Sequence, residues 1–288
     1  MKKLLLIVFI LLLVGCEADS HDRILSKEKI EVPETELSKT TETYKITYRS
    51  DGLEVKGVMV RPKEIEKDLP LLIFNRYGNQ EYGKIDEKIL ATYLSLWANK
   101  GYVVLASQYR GNDGGEGKEE FGGADVNDVL NLVQAAEELP NVDVENKVML
   151  GLSRGGMMTY LAIKDGVDMK AAAVVGGITD LFNFYEERVV VRGMLDELVG
   201  DPEENREAFE KRSAVYWPDQ LDVPLLIMHG EDDWKVPVEQ ARELSSKLSR
   251  ENADYEYVEY EDGQHSLKHY VEEYTDKTDQ WFQQHINE

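Results

Sequence analysis

The sequence has a single cysteine, few basic residues for its acidic content, and no apolar run long enough to cross a bilayer. Cys16 is the only cysteine among the 288 residues, which excludes an intrachain disulfide and a cysteine-ligated zinc site. The chain has 33 Lys and Arg against 56 Asp and Glu, a net charge of −23. Binding to nucleic acid or to anionic lipid by charge depends on basic residues, so we expect neither. The apolar run Leu4 to Val14 is far shorter than the roughly 20 residues of a spanning helix.

The first residues have the pattern of a secretory leader. A basic pair, Lys2 and Lys3, precedes the apolar run, which is typical of a signal peptide over residues 1–15. The segment Leu13-Val14-Gly15-Cys16 resembles a bacterial lipobox, and this resemblance implies cleavage before Cys16 and lipidation of that cysteine. The alternative is an ordinary signal in which Cys16 is incidental. We therefore expect the bacterial cell envelope as the location, outside the cytoplasm, with the membrane as a partner through a lipid anchor.

Beyond the leader, the composition divides the chain into a tether and one domain. Residues 17–43 are rich in Glu, Lys, Ser and Thr, so residues 16–43 are predicted to be the lipidated cysteine and a flexible tether. Residues 44–288 are enough for one α/β domain. The hydrophobic content of the chain, 42%, is sufficient for a core.

The apolar pattern of this domain predicts an α/β fold. Alternating segments at 44–48 and 53–60 flank Asp51-Gly52, which favours an antiparallel hairpin. Five short apolar runs follow, of the kind expected for strands covered on both faces: 69–74, 102–106, 148–152, 171–175 and 224–228. Helical segments lie between them, at 85–100, 126–139, 157–163 and 238–248. We expect a mostly parallel, doubly wound sheet with an antiparallel N-terminal hairpin. A helical insertion at 179–217 is the candidate lid.

A serine turn is the first chemical signal. Gly151-Leu152-Ser153-Arg154-Gly155 fits the pattern G-x-S-x-G between a predicted strand and a predicted helix, the setting in which that serine is a nucleophile. The backbone N–H of Arg154 would then point at the oxyanion. The alternative is a tight turn with a harmless serine.

A serine nucleophile needs a base and an acid. His265, after the last predicted strand, is the candidate base and His269 is the alternative, while His229 is interpreted as a packing residue at a strand end. Among the acids after the preceding strand we choose Asp233 and interpret Glu231 and Asp232 as solvated loop residues. The order Ser153, Asp233, His265 is that of α/β-hydrolases.

At this point the chain resembles the prolyl oligopeptidase family of serine peptidases, within the α/β-hydrolase superfamily. Four segments carry the resemblance: the serine turn with its second glycine Gly156; the loop from Tyr109-Arg110-Gly111 to Asp125; His229-Gly230-x-x-Asp233-x-x-Val236-Pro237; and Asp262-Gly263-Gln264-His265. The resemblance implies an α/β-hydrolase fold and cleavage of peptide bonds, and it also assigns the acid to Asp233.

Two features depart from that family. Larger members carry a β-propeller that screens substrates, and we expect none here because too few residues precede the catalytic region. The loop Phe74-Asn75-Arg76-Tyr77-Gly78 also lacks the His-Gly-Gly of many relatives, which supplies the second oxyanion donor. The backbone N–H of Tyr77 is the expected substitute, and Arg76 or the Tyr77 hydroxyl are the alternatives.

The remaining candidates concern the substrate. Arg76, together with Arg188 and Arg192 of the insertion, is a candidate substrate-binding residue, although a solvated helix face also explains Arg188 and Arg192. We expect no metal and no cofactor, because the acidic stretch 112–120 does not fit a calcium loop. The sequence thus predicts a serine hydrolase that cleaves peptides, with a carboxylesterase for small acyl esters as the alternative. A non-catalytic ligand-binding lipoprotein is the remote alternative, and the oligomeric state is not predicted.

Overall fold

A computed structural model describes residues 22–288, so the predicted signal, Cys16 and the start of the predicted tether lie outside the described residues. The strands are β1 (Ile24–Ile30), β2 (Thr41–Ser50), β3 (Leu53–Pro62), β4 (Leu69–Asn75), β5 (Val103–Ser107), β6 (Val142–Leu152), β7 (Ala171–Val175), β8 (Leu225–Gly230) and β9 (Tyr255–Tyr260). They form one sheet in the order β1-β2-β3-β5-β4-β6-β7-β8-β9.

Helices connect the strands. They are α1 (Glu87–Ile89), α2 (Ser95–Asn99), α3 (Val126–Ala135), α4 (Arg154–Lys164), α5 (Leu181–Glu187), α6 (Arg192–Leu198), α7 (Arg206–Lys211), α8 (Val238–Glu251) and α9 (Val271–Ile286). A π-helical turn, Leu90–Leu94, joins α1 to α2. Within residues 22–288, no helix combines the length and the apolar character needed to cross a membrane.

The fold-class prediction is confirmed. Strands β4 to β9 pair in parallel, whereas β1, β2 and β3 pair antiparallel and β3 joins the rest through an antiparallel contact with β5. The short apolar runs are explained by cores on both faces of the sheet. In β4, Leu71 and Ile73 belong to the core on one face, and Leu72 and Phe74 to the core on the other.

The parallel pairing brings the chemically important loops to one edge. Because parallel strands all end at the same side of a sheet, the segments after β4, β6, β7, β8 and β9 gather there. Those segments carry Tyr77, Ser153, Asp233 and His265. The site therefore follows from the topology.

The prediction of a flexible tether is wrong for residues 22–43. Residues 24–30 form β1, which pairs with β2 from Ile24 opposite Tyr48 to Ile30 opposite Thr43. The Glu138 carboxylate accepts the backbone N–H groups of Arg23 and Ile24 at 2.7 and 3.0 Å. An edge strand exposes most of its side chains to water, so its polar composition is the same as that of a tether.

Residues 179–217 are largely helical, as the sequence predicts. They contain α5, α6 and α7, which pack partly through aromatic contacts such as Phe182 against Phe209, with ring centroids 5.1 Å apart. Phe184, Arg188, Val191 and Met194 from this segment line a cavity at the carboxyl edge of the sheet. Opening and closing of this segment as a lid stays a prediction.

A buried ion pair of Arg110 ties the front of the sheet to α3. The Arg110 guanidinium donates to Asp128 Oδ1 at 2.8 Å and to Asp51 Oδ2 at 2.8 Å. The side chain of Asp128 is fully buried, whereas that of Asp51 is 40% exposed. The two acids bind the same arginine in very different surroundings.

We predict that Asp128→Ala lowers the free energy of unfolding by about 3–5 kcal/mol, because it leaves a buried guanidinium with one partner. Asp51→Ala is the matched control and should cost under about 1 kcal/mol, since water already screens that pair. Urea denaturation followed by circular dichroism measures both. Equal losses in the two variants would contradict the burial argument.

Candidate active site

The serine turn has a strained backbone that its glycines permit. Ser153 lies between β6 and α4 with φ 55° and ψ −120°, a conformation that costs a residue with a side chain about 1–3 kcal/mol. A Cβ on Gly151 would meet the carbonyl of Gly155, and a Cβ on Gly155 would meet the carbonyl of Asn75. The Ser153 N–H donates to the carbonyl of Val175 at 2.9 Å, which holds the turn against β7.

The structure brings the three predicted catalytic residues into one chain of hydrogen bonds. Ser153 Oγ lies 2.9 Å from Nε2 of His265, and Nδ1 of His265 lies 2.7 Å from Oδ2 of Asp233. A carboxylate only accepts, so Nδ1 carries the hydrogen. Nε2 is thereby left as the acceptor for the serine hydroxyl, which is the arrangement that a general base requires.

Asp233 is held in place by four hydrogen bonds. Oδ1 accepts the backbone N–H groups of Lys235 and Val236 at 2.8 and 3.0 Å, and Oδ2 lies 3.2 Å from Nε2 of His229 in addition to its bond with His265. Burial by itself would raise the pKa of the Asp233 carboxyl. The hydrogen bonds from His229 and His265, with the charge of His265 and the Val236 N–H, outweigh burial and hold that pKa well below its usual range.

His229 contributes more than the packing role that the sequence suggested. It is the next-to-last residue of β8 and is fully buried, and its Nε2 lies 2.8 Å from the Val236 carbonyl and 3.2 Å from Asp233. Both of these neighbours are acceptors, so Nε2 carries the hydrogen and donates to them. Its place four residues before Asp233 was the available signal, but a sequence does not show which way the ring faces.

The alternatives considered for base and acid lie away from this chain of bonds. His269 is exposed, on a 3₁₀ turn before α9, and Glu231 and Asp232 are exposed as well. The backbone N–H groups of Glu231 and Asp232 donate to the carbonyls of Tyr260 and Gly263 at 2.9 Å. These bonds tie the acid loop to the loop that carries His265.

Two residues that line the cavity with Ser153 are the candidate backbone donors. Arg154 is the first residue of α4, so its N–H has no acceptor within the helix. Tyr77 follows β4 by two residues and lines the same cavity as Ser153. Among residues 22–288 the Tyr77 N–H has no hydrogen-bond acceptor. The Tyr77 hydroxyl is also in this region, and burial raises its pKa, so it remains protonated at neutral pH.

Arg76 does not contact the cavity, so the prediction that it binds substrate is wrong. Its side chain is fully buried, and its guanidinium donates to the carbonyls of Tyr77, Gln80, Tyr82 and Gln108 at 3.1, 2.8, 3.3 and 2.9 Å. Three of these carbonyls belong to the loop that follows β4. Arg76 therefore holds the conformation of the loop that carries Tyr77.

The Arg154 side chain connects the serine turn to the same loop. The guanidinium is buried, pairs with Asp125, lies 2.8 Å from Glu119 Oε1, and donates to the Gly78 carbonyl at 3.1 Å. It also lies 4.7 Å from the ring centroid of Tyr109. Burial opposes its charge, but Asp125 and Glu119 outweigh burial and raise the pKa of Arg154. The sequence identified the Arg154 N–H but not this buried network.

Glu119 links the two buried arginines. Its Oε1 faces Arg154, while its Oε2 accepts the Gln80 N–H at 2.9 Å and lies 3.8 Å from Arg76. Burial and the nearby charge of Arg154 lower the pKa of Arg76 to about 10, which still leaves it charged at neutral pH. The candidate oxyanion donors are the N–H groups of Arg154 and Tyr77, which lie in separate segments of the chain. The buried side chains of Arg76, Glu119 and Arg154 connect these two segments.

Ser153 and His265 open onto a cavity of about 650 Å³. Its walls are mostly apolar, and the apolar residues are Leu152, Val175, Ile178, Phe184, Val191, Met194 and Val236, with aromatic rings from Tyr77, Tyr82, Phe121, Trp234 and Tyr274. A cavity of this size and character accommodates an organic molecule that presents an apolar side chain.

The structure separates the two arginines predicted in the insertion. Arg188 lines the cavity and is half-buried. The Arg192 guanidinium instead donates to the carbonyls of Tyr185 and Glu186 at 2.9 and 2.8 Å and lies outside the cavity lining. The prediction of substrate contact is therefore wrong for Arg192, because its side chain binds the end of α5. For Arg188 it stays a prediction.

A family model described as prolyl oligopeptidase family matches residues 90–288. The chain belongs to the prolyl oligopeptidase family. This confirms the resemblance inferred from the motifs and places the protein among serine-type peptidases with an α/β-hydrolase fold. A second model, described as acetyl xylan esterase, matches residues 21–127.

Relatives of the prolyl oligopeptidase family match at different lengths. The chain is 32% identical to the uncharacterized peptidase YtmA of Bacillus subtilis, over 72% of this chain and 79% of that protein. It is 29% identical to the uncharacterized peptidase YuxL of the same organism, over 86% of this chain but only 37% of YuxL. A solved puromycin-hydrolyzing peptidase of Mycobacterium tuberculosis shares the fold with a TM-score of 0.69, at 24% identity, over 82% of this chain and 37% of that one.

We predict that Arg76→Met lowers kcat by about 10²-fold, because the loop carrying Tyr77 loses the guanidinium that binds its carbonyls and one oxyanion donor moves. Arg76→Lys is the matched variant: it keeps the charge but lacks the planar fork, so it should recover only part of the activity. Turnover of a reporter amide by each folded variant measures this, with the melting temperature as a check on folding. A folded Arg76→Met enzyme with unchanged kcat would contradict the role given to Arg76.

Proposed function

We propose that this protein hydrolyses peptide bonds through an acyl-enzyme, with Ser153 as nucleophile, His265 as general base and acid, and Asp233 as the residue that orients and stabilises His265. The observation that carries this proposal is the hydrogen-bonded series Ser153–His265–Asp233 at the cavity. Membership of a serine peptidase family supports peptides over other acyl compounds.

In the first half of the reaction, Ser153 Oγ attacks the substrate carbonyl carbon while Nε2 of His265 takes the hydroxyl proton. The negative charge that develops on the carbonyl oxygen is stabilised by the N–H groups of Arg154 and Tyr77; one such donor is worth about 2.7–4 kcal/mol of transition-state stabilisation. His265 then donates its proton to the leaving amine, and the acyl group stays on Ser153.

In the second half, water enters where the amine departed. Nε2 of His265 takes a proton from this water, which attacks the acyl carbon, and the collapse of the second tetrahedral intermediate returns the proton to Ser153. Asp233 remains ionised throughout, since its hydrogen bonds favour the carboxylate. The apolar walls favour an apolar side chain next to the cleaved bond.

Ester hydrolysis is the second candidate. The match of residues 21–127 to the acetyl xylan esterase model favours it, and the same chemistry cleaves esters more easily than amides. A purely ligand-binding lipoprotein is disfavoured, because a binding role requires neither the strained Ser153 turn nor its bond to His265.

We also propose that the protein is anchored to the cell envelope through lipid on Cys16, outside the cytoplasm. The lipobox-like Leu13-Val14-Gly15-Cys16 supports this. Because β1 begins at Ile24, only seven residues separate it from Cys16. Seven extended residues span at most about 25 Å, so the anchor would keep the domain close to the bilayer.

We predict that Ser153→Ala abolishes labelling by a fluorophosphonate probe and lowers kcat by about 10⁵–10⁶-fold, because it removes the nucleophile. Asp233→Asn should lower kcat by about 10⁴-fold, since an amide does not stabilise the correct tautomer and charge of His265. Labelling of the wild type that survives Ser153→Ala would contradict the mechanism. Matched peptide anilides and acyl esters assayed together test the substrate class: ester cleavage without any amide cleavage would establish the esterase alternative.

We predict that Cys16→Ala moves the protein from the membrane fraction to the soluble fraction in a bacterial host, because the thiol that would carry lipid is gone. Ser20→Ala is the matched control in the same segment and should stay with the membrane. Immunoblots of both fractions measure the distribution. Unchanged membrane association of Cys16→Ala would contradict the anchor.

A further inference from the structure

The cavity has an unusual charge for this protein. The full chain carries 56 acidic and 33 basic residues, yet no Asp or Glu between residues 22 and 288 lines the cavity. Arg154, Arg188 and Lys235 do line it. The charge of Arg154 is compensated by Asp125 and Glu119, whereas the guanidinium of Arg188 and the Nζ of Lys235 have no carboxylate oxygen within 4.0 Å among the described residues. The cavity is therefore locally positive on a strongly negative protein, which favours an anionic ligand.

Trp234 arranges these two cations at the mouth of the cavity. The guanidinium carbon of Arg188 lies 5.1 Å from the centroid of the Trp234 ring, and Lys235 Nζ lies 5.5 Å from it. Nη1 of Arg188 also lies 3.5 Å from the Trp234 carbonyl. The other N–H groups of Arg188 make no hydrogen bond with any residue between 22 and 288, so they are available to a ligand.

The group formed by Arg188, Trp234 and Lys235 is connected to the catalytic residues through the backbone of Lys235. Lys235 is two residues after Asp233, and its N–H donates to the Asp233 carboxylate at 2.8 Å. Trp234 is 65% exposed, although an indole of that size is normally covered. A ligand that lies across the Trp234 ring would cover this apolar surface while its charge reaches Arg188 and Lys235.

From these observations we propose that Arg188, Lys235 and Trp234 form a carboxylate-binding subsite, so that the enzyme prefers peptides that carry a negative charge close to the cleaved bond. The proposal rests on the proposed peptidase function and specifies its substrate class. The carboxylate has two sources, an acidic side chain or the free C-terminus of a short peptide. A guanidinium binds both in the same way, through paired N–H donors.

Two matched substrate pairs distinguish these sources. The first pair is acetyl-Glu-Phe and acetyl-Gln-Phe aminomethylcoumarin amides, which differ only in a side-chain charge. The second is acetyl-Ala-Phe-Ala-Ala as the free acid and as the C-terminal amide. The wild type should show a kcat/KM at least about 5-fold higher for the charged member of one pair, and 0.5 M salt should reduce this ratio.

Substitutions then test whether the subsite causes the higher kcat/KM for the charged substrate. Arg188→Gln should bring the ratio close to 1, and Arg188→Glu should reverse it. Arg192→Gln is the matched control, because Arg192 lies on the same insertion but binds Tyr185 and Glu186, and it should leave the ratio unchanged. A wild-type ratio near 1 in both pairs, or equal effects of Arg188→Gln and Arg192→Gln, would overturn the proposal.

Failure of the subsite and failure of the peptidase function give different results. Cleavage of the neutral members at an unchanged rate with no charge preference overturns only the subsite. Absence of cleavage of all four peptides contradicts the peptidase function, and the subsite is then tested through binding. Acetyl-Glu-Phe amide should protect Ser153 from the fluorophosphonate probe at a several-fold lower concentration than acetyl-Gln-Phe amide, and equal protection would overturn it.

Discussion

The whole site depends on one backbone constraint, the left-handed turn at Ser153. A side chain in that conformation is tolerated only because Gly151 and Gly155 let β6, α4 and the end of β4 approach more closely than any Cβ would allow. The close approach places the Ser153 hydroxyl above the sheet edge. It also makes Arg154 the first residue of a helix, so the N–H of Arg154 has no acceptor within that helix. The strain is offset by the surrounding structure, in which the neighbouring strands β4 and β7 are buried.

Around this turn, buried polar groups join loops that are distant in sequence. Asp233 accepts hydrogen bonds from two backbone N–H groups, from His265 and from His229, so the acid loop and the histidine loop are tied together. On the other side, Arg76 and Arg154 hold the loop after β4 through its carbonyls and share Glu119. Catalysis of this kind needs donors and acceptors positioned before the reaction begins, and these networks supply that rigidity.

The short apolar strands, the helices between them and the order of the serine, acid and histidine were predictable from the sequence, because each depends on local patterns. The tether prediction was wrong at residues 24–30, since an edge strand and a solvated linker have the same polar composition and only the pairing partner distinguishes them. The sequence also could not distinguish Arg188 from Arg192, because both are basic residues of the same predicted helical insertion. Only three residues lie between them, yet one lines the cavity and the other binds carbonyls at the end of α5.

By itself the sequence determined the fold class and selected Ser153, Asp233 and His265 as the candidate catalytic residues, because strand periodicity, glycine placement and motif spacing are properties of short segments. Only the tertiary structure decided that His229 supports the acid, that Arg76 and Arg154 are buried braces and that Arg188 and Lys235 meet at Trp234. Some of these contacts join residues far apart in the chain, the widest being Arg154 with Gly78, 76 positions apart, and in every case the direction of the side chain is set by packing, which no local pattern encodes.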